Sequence, residues 1–379
     1  FPVVAPYARS LGAGPLGVAL VIASYDAANL VGNLGAGYVL DGWGRKRALV
    51  CGLLVAAGCL LLYGTVTTPL QLGLVRGFHG LAQAILSPGA FAVLSDAVPP
   101  ARRAQAMGTA GVFIAAAAVA GPPLAGILAD RRGPEAVFLA VALVLAAVAL
   151  VVARTPGTPA PLGAEPRPVR GLGLGPLLRR RPLLAAYGAA LVWTAGIGTL
   201  VVHLPLVLDA RGVPASVRGG AFAVYALVAL VLMAGPAPYL ANRLGRLPPL
   251  AGGLALIGTA LLWLSFGGST GAVYGAMALF GLGFGLLFPA ATALVADATI
   301  PAERASAFGI FYAAYSLGVV GGEVGSGLLA GRFGPASGAP FLAAAVLAFA
   351  AAPLVLLAVR GHPVPTDPFP AAPSPSRAQ

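Results

Sequence analysis

The sequence predicts an all-α polytopic membrane protein made of two six-helix bundles, and three observations predict it. Of 379 residues, 59% are hydrophobic and only 9% are charged, too little polar surface to cover a soluble globule. Long apolar runs alternate with short charged turns, and the runs reach the about 20 residues that a helix needs to cross a bilayer. The chain also repeats itself 201 positions on, as 297 stands from 96. Asp96 matches Asp297, Pro100 matches Pro301, Arg103 matches Arg304, Gly108 matches Gly309 and Gly126 matches Gly327. Arg131-x-Gly-Pro likewise matches Arg332-x-Gly-Pro, and Gly44-Arg45 matches Gly245-Arg246. One unbroken register makes the two halves copies rather than stretches of similar composition.

Taken in order, Phe1 to Ala8 reads as the exit end of a first helix whose larger part lies outside this chain. Arg9 to Gly14 is a polar turn. Helix two is expected over Pro15–Leu40, helix three over Ala48–Val66, helix four over Pro69–Ala97 and helix five over Ala104–Ala129. A polar turn from Asp130 to Glu135 separates these from helix six, which ends near Ala153. The Pro-, Gly- and Arg-rich stretch 154–182 has no run long enough to span and reads as a linker. Helices seven to twelve follow at Leu183–Leu208, Gly219–Ala241, Leu247–Phe266, Gly271–Thr299, Ala305–Ala330 and Ala339–Val359. The domains are therefore 1–153, a linker over 154–182, 183–360, and a Pro/Ser/Ala tail over 361–379 that is too polar to fold.

The turn Gly37 to Arg47 is the most informative stretch. It holds Asp41 and the bases Arg45, Lys46 and Arg47, with glycines at Gly37, Gly42 and Gly44 that let two helix ends approach closely. This resembles the cytoplasmic signature between the second and third helices of major facilitator superfamily transporters, Gly-x-x-x-Asp-x-x-Gly-Arg-Lys-Arg, with Gly42 in place of a common arginine. The resemblance covers the chain apart from its start and its tail. It implies two parallel six-helix halves around a central cavity, and a cytoplasmic gate in which Asp41 and Arg45 latch to Asp96. The second copy keeps Arg246 and Asp297 but has Asn242 at the Asp41 position, so its latch is expected to be weaker.

Basic residues agree with that orientation. With the turn placed in the cytoplasm, 16 of the 23 Lys and Arg fall on its side, six fall on the other, and Arg76 lies within a span. The bias puts the linker and tail inside a cell (inner) membrane crossed many times. The same distribution accounts for the net charge of +12 without nucleic acid, since the bases form no patch with interleaved aromatics.

Ionisable groups inside a span are costly and are therefore functional candidates. Asp26 sits within helix two, with Asn29 and Asn33 continuing one polar stripe. Arg76 sits in helix four with His79, Gln83 and Ser87 on one face, in a stretch that resembles a family motif to which proton coupling is attributed. Asp26 and Arg76 read as a buried ion pair on an ion or substrate path. Glu323 in helix eleven is the next candidate, either on that path or solvated near the outer face. His203, near the outer end of helix seven, is a further coupling or substrate candidate, the alternative being a histidine that simply meets water. Trp193 and Trp263 read as packing or interfacial anchors. In helix five, Gly108, Gly121-Pro122 and Gly126 resemble the family's exporter motif, with Ala117 and Ala125 replacing two glycines. They are expected to act as a hinge, because proline breaks one rung of the helical ladder.

The reading is a secondary transporter that exports a small amphipathic or drug-like molecule in exchange for protons by alternating access, acting as a monomer in the lipid bilayer. Uptake of a small organic anion or metabolite, with Arg76 binding it, is the alternative. A membrane sensor or enzyme is a third possibility, but an enzyme needs clustered nucleophile and base residues, and three scattered histidines do not supply them. No cofactor or metal is expected. Cys51 and Cys59 are more than two helical turns apart, too far for a disulfide, and no Gly-x4-Gly-Lys-Ser/Thr loop for ATP occurs.

Overall fold

A computed structural model describes residues 3–98, 103–155, 174–300 and 303–358. These residues form helices joined by turns, with no strand among them. The first group comprises α1 (Val4–Ser10), α2 (Pro15–Trp43), α3 (Arg45–Tyr63), α4 (Pro69–Ala97), α5 (Arg103–Arg132) and α6 (Pro134–Arg154). After a single helical turn, α7 (Leu174–Leu177), the second group comprises α8 (Arg181–Ala210), α9 (Ala215–Ala234), α10 (Pro236–Arg243), α11 (Leu247–Ser265), α12 (Thr270–Asp297), α13 (Arg304–Phe333) and α14 (Ala339–Ala358). Ten of these helices are long and apolar enough to cross a membrane. The helix α4 is not one of the ten, although it has 29 residues, because it carries Arg76, His79 and two glutamines.

Local chemistry sets the boundaries. Prolines open α2, α4, α6, α8, α10 and α11, where the missing N–H costs nothing. Thr68 and Ser269 cap α4 and α12 by accepting from Gln71 N and Ala272 N, each at 3.3 Å. The repeat reappears in the backbone. Gly44 and Gly245 both turn through the left-handed region (φ 85° and 81°), as do Gly133 and Gly334 (84° and 99°). Each pair is 201 positions apart, so the same glycine makes the same turn in both copies.

Several boundaries differ from the sequence reading: α2 runs on to Trp43 and α3 begins at Arg45, which leaves Gly44 alone between them, and α13 runs on to Phe333. The helix expected to end at Ala129 continues through Asp130, Arg131 and Arg132, so a residue placed in a turn belongs to a helix. The eighth expected helix is broken at Gly235 into α9 and α10. Pro236 has no N–H to continue the ladder and drives Gly235 out of helical geometry, to φ −117° and ψ −101°.

Bare backbones bring the helices together. In the crossing of α8 and α13, a Cβ added at Gly318 would lie 2.2 Å from Leu191 O, and one at Gly322 would lie 2.0 Å from Ala195 O. The two groups meet along α5 with α9 and α2 with α13. Among the described residues, three glycines are pressed against the opposite group: Gly126, Gly219 and Gly327. All three lie toward the end remote from the Gly37–Arg47 turn. On the turn's own side, three polar ties among the described residues hold a group together. Lys46 Nζ donates to Thr155 O, and Arg246 Nε pairs with Asp297 at 2.9 Å. Arg180 grips both oxygens of Glu303 at 2.6 and 2.8 Å.

Gly322→Val should therefore prevent α8 and α13 from closing, whereas Gly321→Ala, with open space at its Cβ, should be neutral. Size-exclusion chromatography of detergent extracts should show the first variant lost or aggregated and the second as monodisperse as wild type.

Candidate functional site

The site is built from a contact between α2 and α4. A Cβ on Gly80 would sit 2.1 Å from Tyr25 O, so these backbones touch, and Arg76, one turn earlier on α4, reaches across. Its Nε donates to Val21 O at 2.8 Å and its Nη2 to Ile22 O at 3.2 Å. The guanidinium carbon lies 5.3 Å from the centre of the Tyr25 ring, a cation–π contact. The two carbonyls belong to the helical turn that ends in Tyr25 and Asp26. Arg76, 9% exposed, thus clamps the backbone that carries the carboxylate. This corrects the expected Asp26–Arg76 ion pair: the arginine is within electrostatic reach of Asp26, but the hydrogen bonds it makes to α2 go to carbonyls.

Glu323 approaches Asp26 from the other helix group. Where α13 crosses α2, a Cβ on Gly327 would fall 2.3 Å from Ala19 Cβ, and Glu323 lies one turn further into the membrane. Its side chain is 1% exposed and its Oε2 is buried with no protein donor. It is not the solvated outer-face residue that the sequence left open. The Asp26 and Glu323 side chains lie within hydrogen-bonding reach of one another. An ionised carboxylate only accepts hydrogen bonds, so a bond between these two groups requires a proton on one of them. Arg76 acts electrostatically on both, and Tyr315 on α13 faces the Asp26 charge.

The other predicted residues divide around this pair. His79 Nδ1 meets the Tyr63 hydroxyl at 3.0 Å, and its ring stands edge-on to Tyr25 at 5.1 Å, so His79 joins the site through aromatic neighbours. Asn29 Nδ2 donates to Gly80 O at 3.5 Å and Asn29 Oδ1 accepts from Asn33 Nδ2 at 3.1 Å, bracing the crossing of α2 and α4. Gln83 donates to Ser87 on its own helix. His203 is not brought to the pair and does not meet water. It is fully buried, its Nε2 lies 2.7 Å from Ser337 O and its ring packs on Phe341, which ties α8 to the turn before α14. Trp193 is fully buried among Phe284, Phe288, Phe311 and Tyr315, whereas Trp263 is exposed. Of the expected hinge, Pro122 and Gly126 lie on the contact with α9, while Gly121 faces open space. Gly108 as a packing residue, and the side chains of Asp41 and Asp96 in the gate with Gly37, lie outside the described residues. In the second copy of that gate, Arg246 and Asp297 are paired.

Comparison with known proteins decides the family. The model of the Major Facilitator Superfamily matches residues 1–299 and again residues 219–378. The chain belongs to the major facilitator superfamily. Among curated relatives, the multi-drug resistance efflux pump PmrA of Streptococcus pneumoniae is 32% identical over 153 residues, 38% of this chain and 37% of its own. Multidrug resistance protein 3 of Bacillus subtilis is 34% identical over 120 residues, 32% of this chain and 23% of its own. The riboflavin transporter RfnT of Brucella anthropi is 27% identical across 79% of this chain and 77% of its own. Matches to the efflux pumps thus span well under half of those proteins. In three dimensions the nucleoside transporter NupG superposes with a TM-score of 0.76, covering 92% of each chain at 17% identity, a likeness of fold.

Membership of this superfamily is the light in which the buried charges are read. Tyr25, Tyr63 and Tyr315 escaped the sequence reading because a membrane tyrosine has no signature of its own. Their one available signal was that Tyr25 adjoins Asp26. Arg76→Lys keeps the charge but presents a compact ammonium in place of a planar fork, and cannot grip both carbonyls. Transport in proteoliposomes should fall roughly ten- to a hundredfold, the scale associated with small misplacements of a reacting group, while the protein remains folded.

Proposed function

We propose that the protein is a secondary transporter that exports small amphipathic, drug-like molecules in exchange for protons. The observation that carries this reading is the Asp26–Glu323 pair: two carboxyl groups, one from each helix group, with no protein donor for the buried Glu323 oxygen. The similarity to efflux pumps supports the direction and the substrate class.

The mechanism follows from charge. With one proton between them, Asp26 and Glu323 hold α2 against α13 and the outer side is shut. With the Gly37–Arg47 turn in the cytoplasm, the pair loses its proton inward. Two bare carboxylates, if brought to about 4 Å, would repel by about 4 kcal/mol at an effective dielectric of about 20, enough to move a two-state equilibrium by about three orders of magnitude. The groups 1–153 and 183–360, joined by the cytoplasmic linker 154–182, then rock apart at the outer end. Substrate leaves, and a proton from outside restores the pair. The Asp41–Arg45–Asp96 latch, and Arg246–Asp297 in the second copy, would close the inner side in the opposite state, while Gly121-Pro122 lets α5 bend. The cycle needs one chain in the inner membrane.

A second reading, uptake of a small metabolite, draws on the longer alignment to the riboflavin transporter. An anion-binding role for Arg76 fits less well, because two of its donors are committed to Val21 and Ile22. Asp26→Asn and Glu323→Gln should each abolish accumulation of amphipathic dyes driven by a pH gradient in proteoliposomes, down to the level of protein-free vesicles. Exchange of dye down its own gradient should persist. A variant that still concentrates dye would place the coupling carboxyl elsewhere.

A further inference from the structure

Asp130 stands at the outer end of α5, two residues before the helix ends. Its Oδ1 accepts from Ala215 N at 2.7 Å and its Oδ2 from Ser216 N at 2.9 Å. Those N–H groups open α9, which has no side-chain cap of its own, since Pro214 precedes it. The first N–H groups of a helix have no partner within it and concentrate positive potential. Here the carboxylate that satisfies them comes from the opposite helix group. Arg218, in the same first turn and only 7% exposed, is held by Asp209 at the end of α8 and adds its charge to the field around Asp130.

The contact beneath is equally close. A Cβ on Gly126 would lie 2.3 Å from Ala215 O, and one on Gly219 would lie 2.2 Å from Pro122 O. Residues 122, 126 and 130 recur every four positions and so share one face of α5, turned to the first turns of α9. We propose that Asp130 is a positioning residue that latches the outer ends of the two helix groups and so sets how readily the outer side opens. Opening separates α5 from α9, breaks both bonds at once and leaves the first turn of α9 uncapped. The latch is one-sided, because the position 201 residues on is Gly331, which has no side chain to offer α2. The proposal rests on the chain alternating between two states, but not on what it carries or on which carboxyl binds the proton.

The test uses the full chain in lipid nanodiscs with Cys51 and Cys59 replaced. Spin labels are placed at the exposed outer positions Leu139 on α6 and Phe266 after α11. Wild type should show a dominant short distance and a minor long one. Asp130→Ala should raise the ratio of long to short about two- to thirtyfold, the range expected for loss of a helix cap. Asp130→Asn, whose single amide oxygen can still accept one bond, should fall between. If the alanine variant does not fold, the asparagine variant must show the shift by itself. A lower melting temperature with an unchanged distance ratio would mean a purely structural cap and would overturn the latch alone. A single distance under every condition in wild type would overturn both the latch and the transport reading.

Discussion

The proposed transport cycle turns on a hydrogen bond that only a proton can make. Asp26 and Glu323 come from opposite halves of a duplicated chain and meet where α2 crosses α13, and neither can donate to the other while both are ionised. Burying an unpaired charge in a membrane is costly, so the site is comfortable only when its proton count matches its geometry. Arg76 contributes by holding the helical turn under Asp26 while its charge reaches both carboxyls. The aromatic rings of Tyr25 and Tyr63 enclose His79 at the same level.

The duplication explains how such a site could arise. Two contacts between the groups use the same element of the repeat: Gly126 of α5 is pressed against α9, and Gly327 of α13 against α2. The polar residue has moved between the copies. In α5 the carboxylate is at the outer end, at Asp130, and the mid-membrane position is Pro122. In α13 the outer position is Gly331 and the mid-membrane position is Glu323. One contact is therefore apolar inside and latched outside, while the other is bare outside and carries a titratable pair inside. Equal backbones thus serve unequal tasks, which departs from strict two-fold behaviour.

Much of this was legible in the sequence. Composition and hydropathy required a helical membrane protein, and the offset between Asp96 and Asp297 disclosed the duplication that the glycine turns at Gly44 and Gly245 repeat in three dimensions. Asp26, Arg76 and Glu323 stood out because charges in spans are rare. Their relationship was not legible: an aspartate and an arginine in separate spans suggest an ion pair, but only the Gly80 crossing shows that Arg76 binds carbonyls. Nothing local in α13 says that Glu323 faces α2. Asp130 was lost for another reason. A charged Asp-Arg-Arg-Gly-Pro run reads as a turn, but the helix runs on as far as Gly133, as its copy runs on to Gly334. His203 misled in the opposite sense, since a histidine near a helix end suggests water, while Ser337 O and Phe341 bury it.

The central claim is that the charge state of the Asp26–Glu323 pair decides whether α2 and α13 stay together at their outer ends. The direct measurement is the distance between spin labels at Leu20 and Leu328, lipid-exposed positions on those helices, recorded against pH in nanodiscs for wild type and Glu323→Gln. Wild type should show a short distance at acid pH that gives way to a longer one as pH rises, and the glutamine variant a ratio of the two that does not change with pH, because its amide donates without a proton being added. A wild-type distance that ignores pH, or a glutamine variant that opens with the same pH profile, would contradict the claim.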